Sequence, residues 1–104
     1  MKPAAFDYVR AESIGEVLET LRNEGSDARI MAGGQSLMAM LNMRLAKPKS
    51  IVDIMRVSEL GRVEAKADRV TVGAGVRQAV LLAWPELAKT LPLISMALPW
   101  TGHQ

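Results

Sequence analysis

One short stretch of this sequence, Ala32-Gly33-Gly34-Gln35-Ser36, combines residue types that can hold an anionic group. It follows an apolar run and precedes a helical pattern. Glycine lets the backbone approach a ligand closely, and the backbone N–H groups at a helix start point at negative charge. The amide of Gln35 and the hydroxyl of Ser36 could add side-chain donors. The stretch predicts a pyrophosphate site or, alternatively, a tight strand-to-helix turn in which Ser36 is the helix N-cap.

Two well-known phosphate-binding motifs are incomplete here. After the first glycine pair, Leu37 and Met38 stand where a P-loop would soon carry Lys and Ser or Thr. A second glycine stretch, residues 73–78 (GAGVRQ), begins like the dinucleotide-binding fingerprint but has Gln78 where the third glycine belongs. No later strand carries an acidic residue at the expected distance. We therefore interpret this second stretch as a structural turn.

Several polar residues that follow the loop have two possible roles each. Four of them could place positive charge or donors beside it: Asn42, Arg44, Lys47 and Lys49. Basic side chains late in a helix also complement the helix dipole, and we favour that interpretation. Asp53 could accept a hydrogen bond from a ribose or cap the turn that follows it, and the sequence leaves both roles open.

The methionines and tryptophans have more ordinary interpretations. Met38, Met40 and Met43 are expected to fill core space, as the flexible thioether side chain often does. Trp84 and Trp100 could stack on a planar ring, but each lies beside a proline and is interpreted as a packing anchor.

Groups that catalyse reactions or bind metals are scarce in this sequence. It has no cysteine, which excludes disulfides, thiolate nucleophiles and iron–sulfur clusters held by this chain. Its one histidine, His103, does not make a histidine metal site or a catalytic triad. No carboxylate pair is recognisable by spacing. We assign no catalytic and no metal-binding residue, so any chemistry would come from a bound cofactor.

Composition indicates one globular domain. The sequence has 104 residues, of which 49% are hydrophobic, and 13 basic residues against 11 acidic ones give a net charge of +2. This small, dispersed excess of positive charge does not resemble a nucleic-acid-binding surface.

The N-terminus lacks the apolar core of a signal peptide, and the longest apolar run, residues 91–100, is too short to span a membrane. We expect a cytoplasmic protein, and the apolar end indicates a fragment or one piece of a larger assembly.

Hydrophobic periodicity predicts a parallel unit in the first half of the chain. Ser13 and Glu16 form a capping box for a helix that should end at Gly25. Its apolar face is predicted to comprise Ile14, Val17, Leu18 and Leu21. Strands are predicted at Phe6–Arg10, Ala28–Ala32 and Ile51–Ile54, the last in the middle of a parallel sheet, with a largely buried helix at Leu37–Leu45.

The second half is predicted to hold a hairpin and short helices. Arg62–Lys66 and Arg69–Gly73 would pair as antiparallel strands around residues 67–68. Pro85 is predicted as the first residue of a later helix, which Pro92 restarts or kinks. The fold class is therefore α/β with an α+β tendency: a small parallel β-α-β-β unit followed by a hairpin and C-terminal helices.

A set of motifs, taken in order, resembles a known family. They are Phe6-Asp7-Tyr8, the capped helix, Ala32-Gly33-Gly34-Gln35-Ser36-Leu37, Lys49-Ser50-Ile51-Val52-Asp53-Ile54, Gly73-Ala74-Gly75-Val76 and Leu98-Pro99-Trp100-Thr101-Gly102-His103. Together they resemble the start of the FAD-binding medium subunit of the molybdenum hydroxylases, a group that includes carbon monoxide dehydrogenase and xanthine dehydrogenase. The resemblance covers essentially the whole chain.

This resemblance implies a PCMH-type FAD-binding domain, similar to that of vanillyl-alcohol oxidase. The cofactor would be FAD, with its pyrophosphate held by Ala32, Gly33, Gly34, Gln35, Ser36 and Leu37. Residues 1–104 would be a single, truncated domain, with a first subdomain at 1–54 and the start of a second at 55–104. The family's second glycine-rich loop and C-terminal domain lie beyond residue 104, so we do not expect this chain alone to be active.

The resemblance also implies a role and partners. The flavin would relay electrons from iron–sulfur clusters to an acceptor. The partners would be a molybdenum-binding large subunit, an iron–sulfur small subunit and the remainder of this chain's own domain, with no nucleic acid and no membrane span. An alternative of another class is a small cofactor-free α/β interaction module that docks through its apolar C-terminal segment, which contains Leu93, Ile94, Leu98 and Trp100.

Overall fold

A three-stranded parallel sheet organises the first half of the computed structural model, which describes residues 2–101. The single histidine, His103, and its neighbour Gly102 lie outside the described residues. The strands are β1 (Asp7–Arg10), β2 (Ala28–Met31) and β3 (Ser50–Asp53), and their spatial order is β1-β3-β2. Both outer strands run parallel to β3. The prediction of a short central parallel strand is confirmed.

The residue types of β3 explain its central position. Ile51 and Val52 point to opposite faces of the sheet, and both are fully buried. A strand that is buried on both faces needs apolar side chains throughout, which is typical of parallel sheets. The outer strands are more exposed: β1 has no fully buried residue, and in β2 only Ala28 is buried.

Helix α1 (Ile14–Glu24) covers one face of this sheet. The Ser13 hydroxyl accepts the Glu16 N–H at 3.1 Å, and Gly25, with a φ of 58°, ends the helix as predicted. Val17 packs into a buried cluster with Val52 of β3. Leu18 is an exception to the predicted apolar face: it is exposed, since it lies beside the row that contacts the sheet and not within it.

Helix α2 (Leu37–Asn42) is shorter and more exposed than predicted. Leu41 is buried, whereas Met38, Met40 and Met43 are 39%, 42% and 55% exposed. The prediction that these methionines fill the core is wrong. The helix presents only the face that carries Leu41 to the rest of the described chain, so most of its apolar surface is left uncovered.

The end of α2 explains why this helix stops before the predicted Leu45. Arg44 adopts a left-handed backbone with a φ of 57°, the one non-glycine residue to do so in residues 2–101. Its N–H donates to the Leu41 carbonyl at 3.0 Å, and the Leu45 N–H donates to the Met40 carbonyl at 2.9 Å. These two bonds form a Schellman motif, in which glycine is the usual residue at the position of Arg44.

The second half contains the predicted hairpin and a series of short helices. Strands β4 (Val63–Ala65) and β5 (Val70–Val72) pair antiparallel, which confirms the hairpin. The helices are α3 (Gln78–Leu82), α4 (Leu87–Thr90) and α5 (Pro92–Ala97), and single 3₁₀ turns lie at Ser58–Leu60 and Leu98–Trp100. Pro92 begins α5 as predicted. Pro85 does not begin a helix, because it lies in the turn two residues before α4.

The C-terminal helices leave apolar side chains uncovered. Leu93, Met96 and Trp100 are 79%, 71% and 87% exposed. Trp100 is therefore not a packing anchor, whereas the half-buried Trp84 fits that interpretation better. Within residues 2–101, no helix has the length and apolarity needed to cross a membrane.

The left-handed Arg44 generates a stability prediction. We expect Arg44→Gly to raise the free energy of unfolding by about 0.5–1 kcal/mol, because glycine removes the larger left-handed strain of an L-residue at a smaller entropic cost. Denaturant unfolding measures this difference. Lys47→Gly, in the exposed loop that follows, is the control and should lower stability slightly. Equal losses of unfolding free energy in both variants would contradict backbone strain at Arg44.

Candidate functional site

The first glycine stretch lies at the carboxyl edge of the parallel sheet. Met31, the last residue of β2, pairs with Asp53, the last residue of β3. The Ile54 N–H then donates to the Met31 carbonyl at 3.0 Å, so the segments that follow the two strands leave the sheet side by side. In open parallel sheets ligands bind at this edge. The glycine stretch is therefore in the position where the fold favours a ligand.

A cleft of about 430 Å³ opens beside this stretch. Ala32, Gly33 and Gln35 form one wall, residues 74–79 form a second wall, and Met55 also lines the cleft. The predicted site residues are thus divided. Three of them line the cleft, and Gly34, Ser36 and Leu37 belong to the same turn without being among the lining residues.

Sequence reasoning missed the second wall. It interpreted residues 73–78 as a structural turn only, because the dinucleotide fingerprint was incomplete. A usable signal was present: this glycine pair directly follows β5 and precedes α3, just as the first pair follows β2 and precedes α2. Two strand–glycine–helix junctions in one small domain are a reason to test whether they face each other.

The first wall carries backbone N–H groups that donate to no backbone carbonyl of the described chain. Within the described part of the chain, the N–H groups of Gly33, Gly34, Ser36 and Leu37 donate to no backbone carbonyl. The first bond of the helical turn is from the Met38 N–H to the Gly34 carbonyl at 2.9 Å. Ser36 occupies the N-cap position, but its side chain makes no capping bond. The loop can therefore offer a group of N–H donors to an anion.

The two glycines of this loop have different reasons to be glycine. Gly34 has a φ of 83°, so the turn itself requires it. At Gly33 an added Cβ would meet only the far end of the Gln35 side chain, with its Oε1 at 2.7 Å, and no backbone atom. The fold thus tolerates a side chain at Gly33, whereas such a side chain would block a ligand from approaching the Gly33 backbone closely.

The second wall is held in place by one backbone carbonyl. The Gly75 N–H donates to the Leu60 carbonyl at 2.9 Å, and an added Cβ on Gly73 would lie 2.1 Å from that oxygen. Gly73 therefore has the structural role that the sequence indicated. The same close contact determines the course of residues 74–79 and so positions the second wall.

Positive charge at the cleft comes from Arg77. Among the described lining residues it is the one with a charged side chain, and it is exposed. None of Asn42, Arg44, Lys47 and Lys49 lines the cleft. Lys49 precedes the amino end of β3, at the opposite edge of the sheet, and pairs there with Asp27 at 3.7 Å. Charge from Lys49 beside the loop is therefore excluded. The favoured interpretation, basic side chains late in the helix, is wrong as well, because α2 ends at Asn42 and its last turn contains no basic residue.

Asp53 is engaged by the protein through both carboxylate oxygens. Its Oδ1 accepts the Met55 N–H at 2.9 Å, and its Oδ2 accepts the Tyr8 hydroxyl. Partial burial by itself would raise the pKa of Asp53, but these hydrogen bonds and the charges of Arg10 and Arg56 outweigh it, so the pKa is lowered. Of the two roles left open by the sequence, the structure favours capping of the turn over binding a ribose.

The cleft suits a diphosphate better than a metal or a catalytic reaction. Within residues 2–101 there is no cluster of three His, Cys, Asp or Glu side chains that could hold a metal ion. Neither tryptophan lines the cleft. Backbone N–H donors, a glycine that leaves room for close approach, and one guanidinium are groups that bind phosphate oxygens.

Comparisons with known proteins agree with this geometry. Residues 4–104 match a family model described as the FAD binding domain in molybdopterin dehydrogenase. Over 103 residues the chain is 41% identical to 6-hydroxypseudooxynicotine dehydrogenase complex subunit alpha of Paenarthrobacter nicotinovorans, covering 99% of this chain and 35% of that protein. It is 36% identical over 97 residues to the carbon monoxide dehydrogenase medium chain of Hydrogenophaga pseudoflava, covering 93% of this chain and 34% of that one.

A solved structure shows the same fold. Quinoline 2-oxidoreductase from Pseudomonas putida 86 superposes with a TM-score of 0.91 at 39% identity, over 100% of this chain and 36% of that one. The chain thus spans about a third of the length of the relatives that it matches.

The close contact at Gly73 generates a stability prediction. We expect Gly73→Ala to lower the free energy of unfolding by about 2–3 kcal/mol, because its Cβ would collide with the Leu60 carbonyl and the backbone must shift. Gly61→Ala is the matched control, since its Cβ would lie 3.5 Å from the Ser58 carbonyl, an ordinary contact. Thermal or denaturant unfolding of both variants measures the difference. A tolerated Gly73→Ala would show that the second wall is not held in this way.

The lowered pKa of Asp53 generates a pH prediction. Because the pKa in the folded state lies below the usual value of 3.8, Asp53 stabilises the fold above pH 3.8, and this contribution is lost as the pH falls through the lowered pKa. Asp53→Asn should therefore reduce the acid-induced loss of stability, measured by unfolding at several pH values. Tyr8→Phe, which removes one of the two hydrogen bonds, should reduce it partly. An unchanged acid profile in Asp53→Asn would contradict this assignment.

Proposed function

Because the chain belongs to the family of FAD-binding domains in molybdopterin dehydrogenases, we propose that its cleft holds the diphosphate of FAD. FAD is the cofactor of this family. The observation that carries the proposal is that two glycine turns line one cleft, and that the first of them leaves the parallel sheet at its carboxyl edge. The first of them offers backbone N–H groups that donate to no backbone carbonyl in the described chain.

Each residue of the first loop has a separate role in this proposal. Gly33 leaves room for the diphosphate, and Gly34 provides the left-handed turn that directs the following N–H groups. The N–H groups of Ser36 and Leu37 are donors, and Ala32 and Gln35 complete the wall. Phosphate oxygens accept several such bonds at once, so this set is suited to hold and orient the cofactor.

The role of the bound cofactor follows from the family. The flavin ring supplies the redox chemistry, and the protein provides binding and orientation. We propose that the complete protein passes electrons from iron–sulfur clusters through FAD to an acceptor. These 104 residues contain no cysteine, so they do not themselves hold those clusters.

We propose that the partners are a molybdenum-binding large subunit, an iron–sulfur small subunit and the remainder of this chain's own domain. Relatives are subunits of multi-subunit dehydrogenases, and this chain spans about a third of their length. The proposed subdomains are 1–54, which contains the parallel sheet, and 55–104, which contains the hairpin. A cytoplasmic location stays a prediction.

A docking role for the C-terminal segment is supported by its exposed apolar side chains. Leu93, Ile94 and Trp100 are exposed, and Leu98 is half-buried. Uncovered apolar surface of this kind marks a contact with other protein. Because the chain belongs to an FAD-binding family, docking through this surface is compatible with flavin binding. It does not require the protein to be a cofactor-free interaction module.

Gly33→Val tests the proposed cofactor site. We expect the variant, purified in its native assembly, to lose its flavin, because the side chain fills the space that the diphosphate needs. It should still fold, since the new Cβ would meet the end of the Gln35 side chain and no backbone atom. Flavin absorbance per mole of protein and the unfolding temperature measure these two effects separately.

The control is Gly15→Ala in α1, where an added Cβ would have no neighbour nearer than 3.7 Å. It should retain full flavin content. Gly33→Val with full flavin occupancy would overturn the role of the loop, and a wild-type protein that takes up no FAD would overturn the proposed function itself.

A further inference from the structure

We propose that Arg77 determines the preference of the cleft for an anionic ligand, by binding the diphosphate of FAD from the second wall of the cleft that Gly33 also lines. This inference rests on the proposed function and adds a residue to it. The glycine loop supplies neutral donors, whereas Arg77 supplies the formal charge. Arg77 is thus a specificity-determining residue for the phosphate-bearing part of the ligand.

The position of Arg77 is determined by the fold. It occupies the N-cap position of α3 with an extended backbone, at φ −70° and ψ 142°. Its carbonyl accepts the Leu81 N–H at 3.1 Å, which holds its backbone against the helix. Residues on both sides of it, Val76 and Gln78, also line the cleft. The backbone is therefore anchored, while the guanidinium is free to reach a ligand.

The guanidinium of Arg77 is not engaged by an acidic group of the described chain. Other arginines are: Arg69 pairs with Asp68 at 3.2 Å, and Arg56 with Glu12 at 3.9 Å. No salt bridge involves Arg77 within residues 2–101. No carboxylate lines the cleft that could neutralise it, because the described lining residues besides Arg77 are uncharged.

The chemistry of the ligand requires such a charge. A diphosphate ester carries two negative charges, and backbone N–H groups give it hydrogen bonds without net charge. The planar guanidinium presents paired N–H donors that match two phosphate oxygens. An arginine that lines the same cleft as a glycine loop can therefore bind the same diphosphate as the loop.

The experiment is a titration of FAD into the native assembly after removal of its flavin, followed by the quenching of flavin fluorescence. It compares wild type, Arg77→Gln and Arg77→Lys at about 0.05 M and about 0.5 M KCl, since salt screens charge interactions. We expect Arg77→Gln to weaken FAD binding roughly tenfold at low salt and to reduce its salt dependence. Arg77→Lys should retain part of the FAD affinity and part of its salt dependence, because lysine keeps the positive charge but lacks the paired N–H donors of the guanidinium.

The matched control is Arg22→Gln, which removes the same charge from the exposed last turn of α1, at the opposite edge of the sheet. It should leave FAD affinity and its salt dependence unchanged. If Arg77→Gln binds FAD as wild type does, or if Arg22→Gln weakens binding equally, the specific role of Arg77 is refuted while the proposed function stands. A wild-type assembly without FAD affinity would overturn both.

Discussion

The parallel pairing of β3 with two neighbours is the constraint on which the rest of the structure depends. Because β1 and β2 both run parallel to β3, their carboxyl ends share one edge of the sheet. The buried Ile51 and Val52 make β3 suitable for this central position and for no exposed one. The first glycine loop leaves β2 at that edge, so the location of the cleft follows from the sheet.

A second interaction completes the cleft. The chain returns to the same edge only after the hairpin, and the contact of Gly73 and Gly75 with the Leu60 carbonyl determines where it lies. One wall thus depends on strand pairing and the other on a backbone contact too close for any side chain at Gly73. The proposed ligand site combines two segments about forty residues apart, and neither lines the cleft alone.

The sequence predicted the features whose causes are local. The capping bond of Ser13, the helix end at Gly25 and the hairpin arise from residues near each other in the chain, and all three are observed. Two other features depend on which elements pack against a segment: which face of α2 is buried, and how exposed Trp100 is. Hydrophobic periodicity does not reveal these packing partners. The proximity of residues 74–79 to Gly33 depends on a long-range contact, so the second wall was missed for the same reason.

A crystal structure of the native assembly with FAD tests the central claim most directly. The account predicts that the diphosphate lies between the two glycine turns, within about 3 Å of the Gly33 or Gly34 N–H and in contact with the Arg77 guanidinium. The same structure should show the cofactor at the carboxyl edge of β2 and β3. A diphosphate bound elsewhere on this chain, with the cleft between Gly33 and Arg77 filled only by solvent, would contradict the account.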